Sequence, residues 1–148
     1  MNEPVYLLDT DTVSNYLDKR RQHPLLHDRI LNTSPAQLCI SIITVEEMLR
    51  GALDVVRQAQ TNRRSVPPAY AFLQELFEAL HTFSIQPYTE EADRLYQGLP
   101  PEVKRVGKND CRIAATALAA GCVVITTNVG HFARILDLHI EDWTREES

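Results

Sequence analysis

Residues 5–17, VYLLDTDTVSNYL, give the clearest indication of the fold. Val5 to Leu8 form a short apolar run without alternation, which is typical of a parallel strand buried on both faces. Two carboxylates, Asp9 and Asp11, follow this strand at once, and a helical pattern with Asp11 as its N-cap extends from Thr12 to Leu17. Negative charge at the end of a buried strand either caps a helix or holds a positive group.

Strand and helix patterns alternate along the rest of the chain. We predict strands in QLCISII (37–43), FSIQPY (83–88), CVVITTN (122–128) and, at an edge of the sheet, LHIEDW (138–143). We predict helices in HPLLHDRILNTSP (23–35), TVEEMLRGALDVVRQAQ (44–60), AYAFLQELFEALHTF (69–83), TEEADRLYQGL (89–99), DCRIAATALAAG (110–121) and VGHFARIL (129–136), with a loop in PPEVKRVGKND (100–110). This order predicts an α/β fold, a three-layer α/β/α sandwich with a mostly parallel central sheet, forming a single domain over residues 1–148.

The helix after the second strand has a specific predicted start. Thr44 and Glu47 have the spacing of a capping box, in which each side chain bonds to the backbone N–H of the other residue. Glu46 would then be the second residue of the helix and free to point across the strand ends. Arg50, one turn later, is placed to hold either Glu46 or a phosphate.

Composition narrows the class of protein. The 148 residues suffice for one domain, and a net charge of −5 neither indicates nor excludes nucleic-acid binding, because a local basic patch is enough to contact phosphates. The N-terminal residues lack the features of a secretory signal, and no apolar run approaches the roughly 20 residues of a membrane span. We therefore expect no membrane partner. Three cysteines without a CxxC pair predict reduced thiols in a cytoplasmic protein, without a structural zinc site.

Charged and polar residues fall at the predicted carboxyl ends of the strands, where open parallel sheets form their sites. Asp9 follows the first strand, Glu46 opens the helix after the second, and Asp110 opens the helix before CVVITTN. Asn128 and His131 come directly after that strand. Taken singly, each acid is better explained as a helix cap or dipole partner; it is their shared edge that indicates a site.

Three carboxylates at one edge repel each other unless a cation neutralises them. Oxygen ligands suit a hard divalent ion, so we predict that Asp9, Glu46 and Asp110 bind Mg²⁺ or Mn²⁺. Such an ion polarises a phosphoryl oxygen and activates water for attack on phosphorus.

Four segments in order resemble PIN-domain ribonucleases, above all the VapC-type toxins of bacterial toxin–antitoxin pairs. They are LLDTDTVSNYL, SIITVEEMLRG, VGKNDCRIAATALAAG and VITTNVGHFARI, followed by LHIEDW. The resemblance covers nearly the whole chain and implies an α/β/α fold with magnesium- or manganese-dependent endoribonuclease activity. It also implies a catalytic set of Asp9, Glu46, Asp110 and Asn128, and products with a 5′-phosphate and a 3′-hydroxyl.

The chain departs from the family pattern after the ITT strand. Relatives often carry an acid at one or both of the positions that Asn128 and His131 occupy here. His131 adds no negative charge; it is a candidate for contacting RNA or the leaving oxygen, or else a surface or capping histidine. No histidine is positioned by sequence to activate Cys111, so we expect Cys111 to have a packing role.

Two alternatives remain open at this stage. A PIN-like fold with fewer acidic residues at its site would bind RNA or a protein without cleaving RNA. LLDTDTV also resembles the opening of haloacid dehalogenase-like phosphatases, in which the first Asp is a nucleophile. Lys108 stands where that family usually has an Asp after the glycine, and nothing in that family explains Glu46.

The partners follow from composition near the site and from the resemblance. Lys104, Arg105, Lys108 and Arg112 cluster next to Asp110, as an RNA backbone at a metal-loaded centre would require, although a charge run is also typical of a solvated face. The resemblance further implies a cognate antitoxin that blocks the acidic site, and a homodimer. The apolar segments 69–80 and 49–56 supply either a dimer surface or core.

Overall fold

The protein is described by a computed structural model that covers residues 5–21 and 23–146. In these residues, five parallel strands form one sheet in the order β3-β2-β1-β4-β5. The strands are β1 (Tyr6–Leu8), β2 (Leu38–Ser41), β3 (Ser84–Gln86), β4 (Val123–Ile125) and β5 (Ile140–Glu141). The predicted parallel sheet is therefore confirmed, with the first strand at its centre and LHIEDW at an edge.

Helices cover both faces of this sheet. They are α1 (Thr10–Leu17), α2 (Pro24–Leu31), α3 (Ile42–Thr61), α4 (Pro67–Leu80), α5 (Glu90–Gln97), α6 (Pro101–Lys104), α7 (Lys108–Ala120) and α8 (Val129–Phe132), with a 3₁₀ turn at Pro35–Gln37. Side chains alternate along β1, so that Leu7 packs with α5 and α7 on one face and Leu8 with α1 to α4 on the other. The three-layer α/β/α prediction is confirmed.

The first helix begins earlier than predicted, and its N-cap is Asp9 rather than Asp11. Asp9 keeps the extended backbone of the strand, with φ −73° and ψ 173°, and its Oδ1 accepts the N–H of Thr12 at 2.9 Å. The prediction of Asp11 as N-cap is wrong because the chain turns directly after the strand. Asp11 lies instead in the first turn of α1, exposed to solvent.

The predicted start of the helix after the second strand, α3, is also wrong, and this changes which acid faces the site. α3 begins at Ile42, and Ser41 is its N-cap, accepting the N–H of Ile43 at 3.0 Å. Thr44 therefore lies inside the helix and forms no capping box with Glu47. Glu46 is displaced from the second to the fifth position of the helix.

Smaller features complete the frame. The predicted loop at 100–110 contains the one-turn helix α6, which has Pro101 at its start, where a missing N–H leaves no hydrogen bond unmade. Gly121 ends α7 as predicted, with a left-handed φ of 71°. The three cysteines are free and buried. None of the helices in the described ranges has the length and apolarity of a membrane-spanning helix.

Candidate active site

Asp9 lies at the carboxyl end of the central strand and is almost fully buried, with 2% of its surface exposed. Burial is the main reason that its pKa rises from 3.8 to about 6. Hydrogen bonds from Thr12 and Thr126 oppose this rise, because they favour the ionised carboxylate. Asp9 thus caps α1 with one oxygen, and no cationic side chain among the described residues forms an ion pair with it that would offset its burial.

Asp110 lies in the first turn of α7 and is partly buried. Its pKa is raised, first by burial and then by the negative charges of Glu47 and Asp11. Asn128 opposes this through a side-chain hydrogen bond that favours the carboxylate. The rise in pKa by neighbouring carboxylates shows that acids from α1, α3 and α7 act on one another at this edge of the sheet.

A polar relay connects the surroundings of the two aspartates. The buried Thr126 hydroxyl hydrogen-bonds Asp9 and also accepts the backbone N–H of Asn128 at 2.9 Å. The side chain of Asn128 in turn hydrogen-bonds Asp110. Thr126 therefore fixes the turn after β4 in a position that links Asp9 to Asp110.

Glu47, rather than Glu46, faces the acidic edge. Glu47 Oε1 accepts a hydrogen bond from Thr10 Oγ1 at 2.8 Å, and the same hydroxyl lies 2.9 Å from Thr44 Oγ1. Thr10 is the first residue of α1, so this contact ties the start of α1 to α3 and holds Glu47 between them.

Glu46 is placed elsewhere. Its side chain is 52% exposed and pairs with Arg50 at 2.8 Å, one turn along the outer face of α3. The structure therefore does not bring Glu46 to Asp9 and Asp110 through any contact of the described residues. The sequence gives no signal that separates the two acids, because Ile43 precedes Glu46 by three residues and Glu47 by four, and both spacings share a helix face.

His131 is more buried than expected, and its ring contacts Cys111. His131 is 6% exposed, which places it neither at the surface nor within direct reach of RNA. Its Nε2 lies 3.9 Å from Cys111 Sγ, although the sequence had indicated no histidine near that thiol. Burial raises the pKa of Cys111 and lowers that of His131, so both stay neutral, and the packing role of Cys111 remains the simplest explanation. His131 Nδ1 is buried without a hydrogen-bond partner among the described residues.

The donor set suits a hard divalent ion by its chemistry. Asp9, Asp11, Glu47 and Asp110 offer only oxygen ligands and carry mutual repulsion that a cation would relieve. Among the described residues, no group of three acidic, histidine or cysteine side chains lies close enough together to hold a metal ion. Magnesium commonly uses one or two protein carboxylates and completes its shell with water, so an open arrangement of this kind fits it.

The predicted basic residues separate into two groups. Lys104 turns away, donating to the Gln97 carbonyl at 3.2 Å and lying over the Tyr96 ring. Arg105, Lys108 and Arg112 line an open pocket beside Asn109.

This fold and this acidic edge define a class of protein. Residues 6–137 match the PIN domain family, and the chain belongs to that family. The match excludes the phosphatase alternative as the family of this chain.

Individual relatives match almost end to end. Ribonuclease VapC1 of Haemophilus influenzae strain R2866 is 33% identical over 147 residues, covering 95% of this chain and 99% of the relative. The tRNA(fMet)-specific endonuclease VapC of Salmonella typhimurium strain LT2 is 32% identical over 146 residues, with coverage of 93% and 97%. The crystal structure of DNA-bound VapBC from Salmonella typhimurium superposes with a TM-score of 0.69 at 28% identity, covering 95% and 99% of the two chains.

Proposed function

We propose that this protein is a metal-dependent endoribonuclease and the toxin of a toxin–antitoxin pair. The observation that carries the proposal is the acidic edge, where Glu47 and Asp11 raise the pKa of Asp110 beside the buried Asp9. Family membership and relatives named as ribonucleases support the reaction class.

Each residue at the acidic edge has its own role in the proposed reaction. Asp9 and Asp110 would hold Mg²⁺ or Mn²⁺, and Glu47, in the role predicted from the sequence for Glu46, would orient water beside the ion. When bound, the ion would polarise a phosphoryl oxygen and lower the pKa of a bound water. The hydrogen bond from Asn128 favours the ionised form of Asp110 and so partly offsets the burial and the neighbouring charges that raise its pKa. Hydrolysis in line would leave a 5′-phosphate and a 3′-hydroxyl.

Cleavage assays with a matched pair of variants test the proposal. A panel of labelled RNAs, including tRNA(fMet) because one relative is named for it, is incubated with Mn²⁺, Mg²⁺ or EDTA. We expect cleavage with metal and none with EDTA. Asp110→Asn is expected to lose about two orders of magnitude in rate, as when a group that stabilises developing charge is removed. Asp54→Asn, an exposed site paired with Arg57, is the control and is expected to cleave like the wild type.

The alternative, a binding module without ribonuclease activity, predicts a different result in the same assay. Such a module would bind RNA in the presence of either metal or EDTA and would cleave in neither. RNA cleavage that persists in EDTA or in Asp110→Asn would contradict the assigned site.

We also propose a cognate antitoxin, a homodimer and a cytoplasmic location. The similarity to a VapBC complex supports the antitoxin. The predicted apolar segments pack on each other as α3 and α4, but they leave an outer apolar groove of about 460 Å³. It is lined by Leu49, Leu53, Tyr70, Leu73, Gln74 and Phe77. Groove residues as exposed as Phe77, at 59%, are typical of a surface that a second chain covers.

A further inference from the structure

A basic pocket lies next to the acidic edge. It has a volume of about 730 Å³ and is lined by Ile43, Glu46, Arg50, Tyr88, Arg105, Lys108, Asn109 and Arg112. Four cationic side chains and one carboxylate give this lining a net charge of +3, in a chain whose net charge is −5. The pocket therefore concentrates positive charge against the overall balance of the molecule.

The pocket and the acidic edge share the first turn of α7. Lys108 and Asn109 line the pocket, and Asp110 is the next residue along that turn. Arg112 is fixed at the pocket wall, since its Nη1 donates to Asn109 Oδ1 at 2.9 Å and its guanidinium lies 4.7 Å from the Tyr96 ring centre. An anion in this pocket would thus sit beside the proposed reacting centre.

One cation of the pocket, Arg50, is already paired with a carboxylate of the same pocket. Arg50 pairs with Glu46 at 2.8 Å, and the two side chains are 64% and 52% exposed. Exposed ion pairs of this spacing are weak, so an arriving phosphate would compete for the guanidinium. Glu46 would also repel that phosphate directly.

An aromatic ring completes the lining. The Tyr88 hydroxyl donates to Asp93 Oδ1 at 2.9 Å, and its pKa is raised to about 12, so the ring stays neutral. Neutral aromatic rings beside cationic side chains are the combination by which proteins bind single-stranded nucleic acid, stacking bases while the cations contact phosphates. An acidic peptide would use the cations but not the ring.

We propose that the basic pocket binds an internucleotide phosphate of single-stranded RNA adjacent to the acidic edge, and that Glu46 limits this affinity by engaging Arg50. The proposal rests on the proposed function, because it names a substrate subsite for that reaction. In this proposal Glu46 is not a metal ligand. Its removal should therefore strengthen RNA binding rather than impair the site.

Binding is measured apart from cleavage, by fluorescence anisotropy in EDTA. The probe is a labelled single-stranded RNA of about ten nucleotides, within the usual range for such sites. The double variant Arg105→Ala/Lys108→Ala is compared with the control Arg64→Ala/Lys19→Ala. The control also removes one arginine and one lysine, but from exposed positions that follow the C-terminal ends of α3 and α1. Circular dichroism confirms that each variant is folded.

The expected results are specific. The pocket variant should weaken binding about tenfold and reduce the slope of log affinity against log salt by about 1.4, since each phosphate contact to single strands contributes about 0.7. The control variant should bind like the wild type. Glu46→Gln should bind about two- to fivefold more tightly, because a nearby exposed like charge is removed.

Equal weakening by the pocket and control variants would overturn the proposal, as would unchanged or weaker binding by Glu46→Gln. A pocket variant that loses affinity for polyglutamate but not for RNA would make this a site for acidic peptides and would also overturn it. Wild-type protein that cleaves no RNA with Mn²⁺ would refute the proposed function instead, so the two failures are distinguishable.

Discussion

Replacing Asp9 by Asn should stabilise the metal-free protein at neutral pH. The pKa of Asp9 rises from 3.8 to about 6, and one pKa unit corresponds to 1.36 kcal/mol, so ionised Asp9 destabilises the fold by about 3 kcal/mol. Asn removes this charge and serves equally well as an N-cap for the Thr12 N–H. Because the hydrogen bonds from Thr12 and Thr126 weaken with the charge, we expect a net gain of about 1–3 kcal/mol. At about 2–4 °C per kcal/mol, the Tm should increase by several degrees.

The pH dependence fixes the sign of this effect. Folded Asp9 keeps its proton up to about pH 6, whereas unfolded Asp9 loses it near 3.8. The folded state therefore binds more protons between these values, and the free energy of unfolding should fall as pH rises through that window. Asp9→Asn should lack most of this fall, leaving the smaller part that the raised pKa of Asp110 contributes.

Urea denaturation in EDTA at about pH 4 and about pH 7 measures both the stability gain of Asp9→Asn and the change in the free energy of unfolding with pH. Asp18→Asn is the control, because Arg20 lowers the pKa of that partly exposed carboxylate and the loss of its charge should destabilise rather than stabilise the fold. An Asp9→Asn variant that is less stable than the wild type at neutral pH would refute the reasoning. So would a wild-type stability that increases across the acidic window.

Three further results are expected. Glu47→Gln should reduce metal-dependent RNA cleavage at least about tenfold more than Glu46→Gln, a comparison by initial rates that equal losses would contradict. Gly121→Ala should cost about 1 kcal/mol in urea denaturation, because φ 71° is unfavourable for a residue with a Cβ; an unchanged midpoint would argue against that conformation. Phe77→Glu, at a 59% exposed position, should leave the Tm nearly unchanged while reducing self-association in sedimentation, and an unaltered dimer would remove α4 from the interface.

The three inner strands of the sheet, β1, β2 and β4, were predictable because they are largely buried and apolar and are separated by helix patterns. Leu7 and Leu8 illustrate this, since both are fully buried and each packs into a different core. Alternation of strand and helix then leaves few topologies with parallel pairing. Asp9 and Asp110 were placed at the correct edge by the same logic.

The choice between Glu46 and Glu47 was not predictable by the same logic. Two adjacent acids point about 100° apart on a helix, so an error of three residues in the helix start changes which of them faces the site. In the sequence, Thr44 resembles a cap as well as Ser41 does, but in the structure it is Ser41 that accepts the N–H of Ile43. The contact of His131 with Cys111 similarly depends on how α8 packs on α7, which periodicity does not encode.

Manganese binding measured by electron paramagnetic resonance tests the central idea most directly, because it needs no knowledge of the RNA. The wild-type protein is expected to bind Mn²⁺, Asp110→Asn and Glu47→Gln are expected to bind it at least about tenfold more weakly, and Asp54→Asn should match the wild type. Absence of binding by the wild type, or equal affinity in all four proteins, would contradict the assignment of the acidic edge as a metal site.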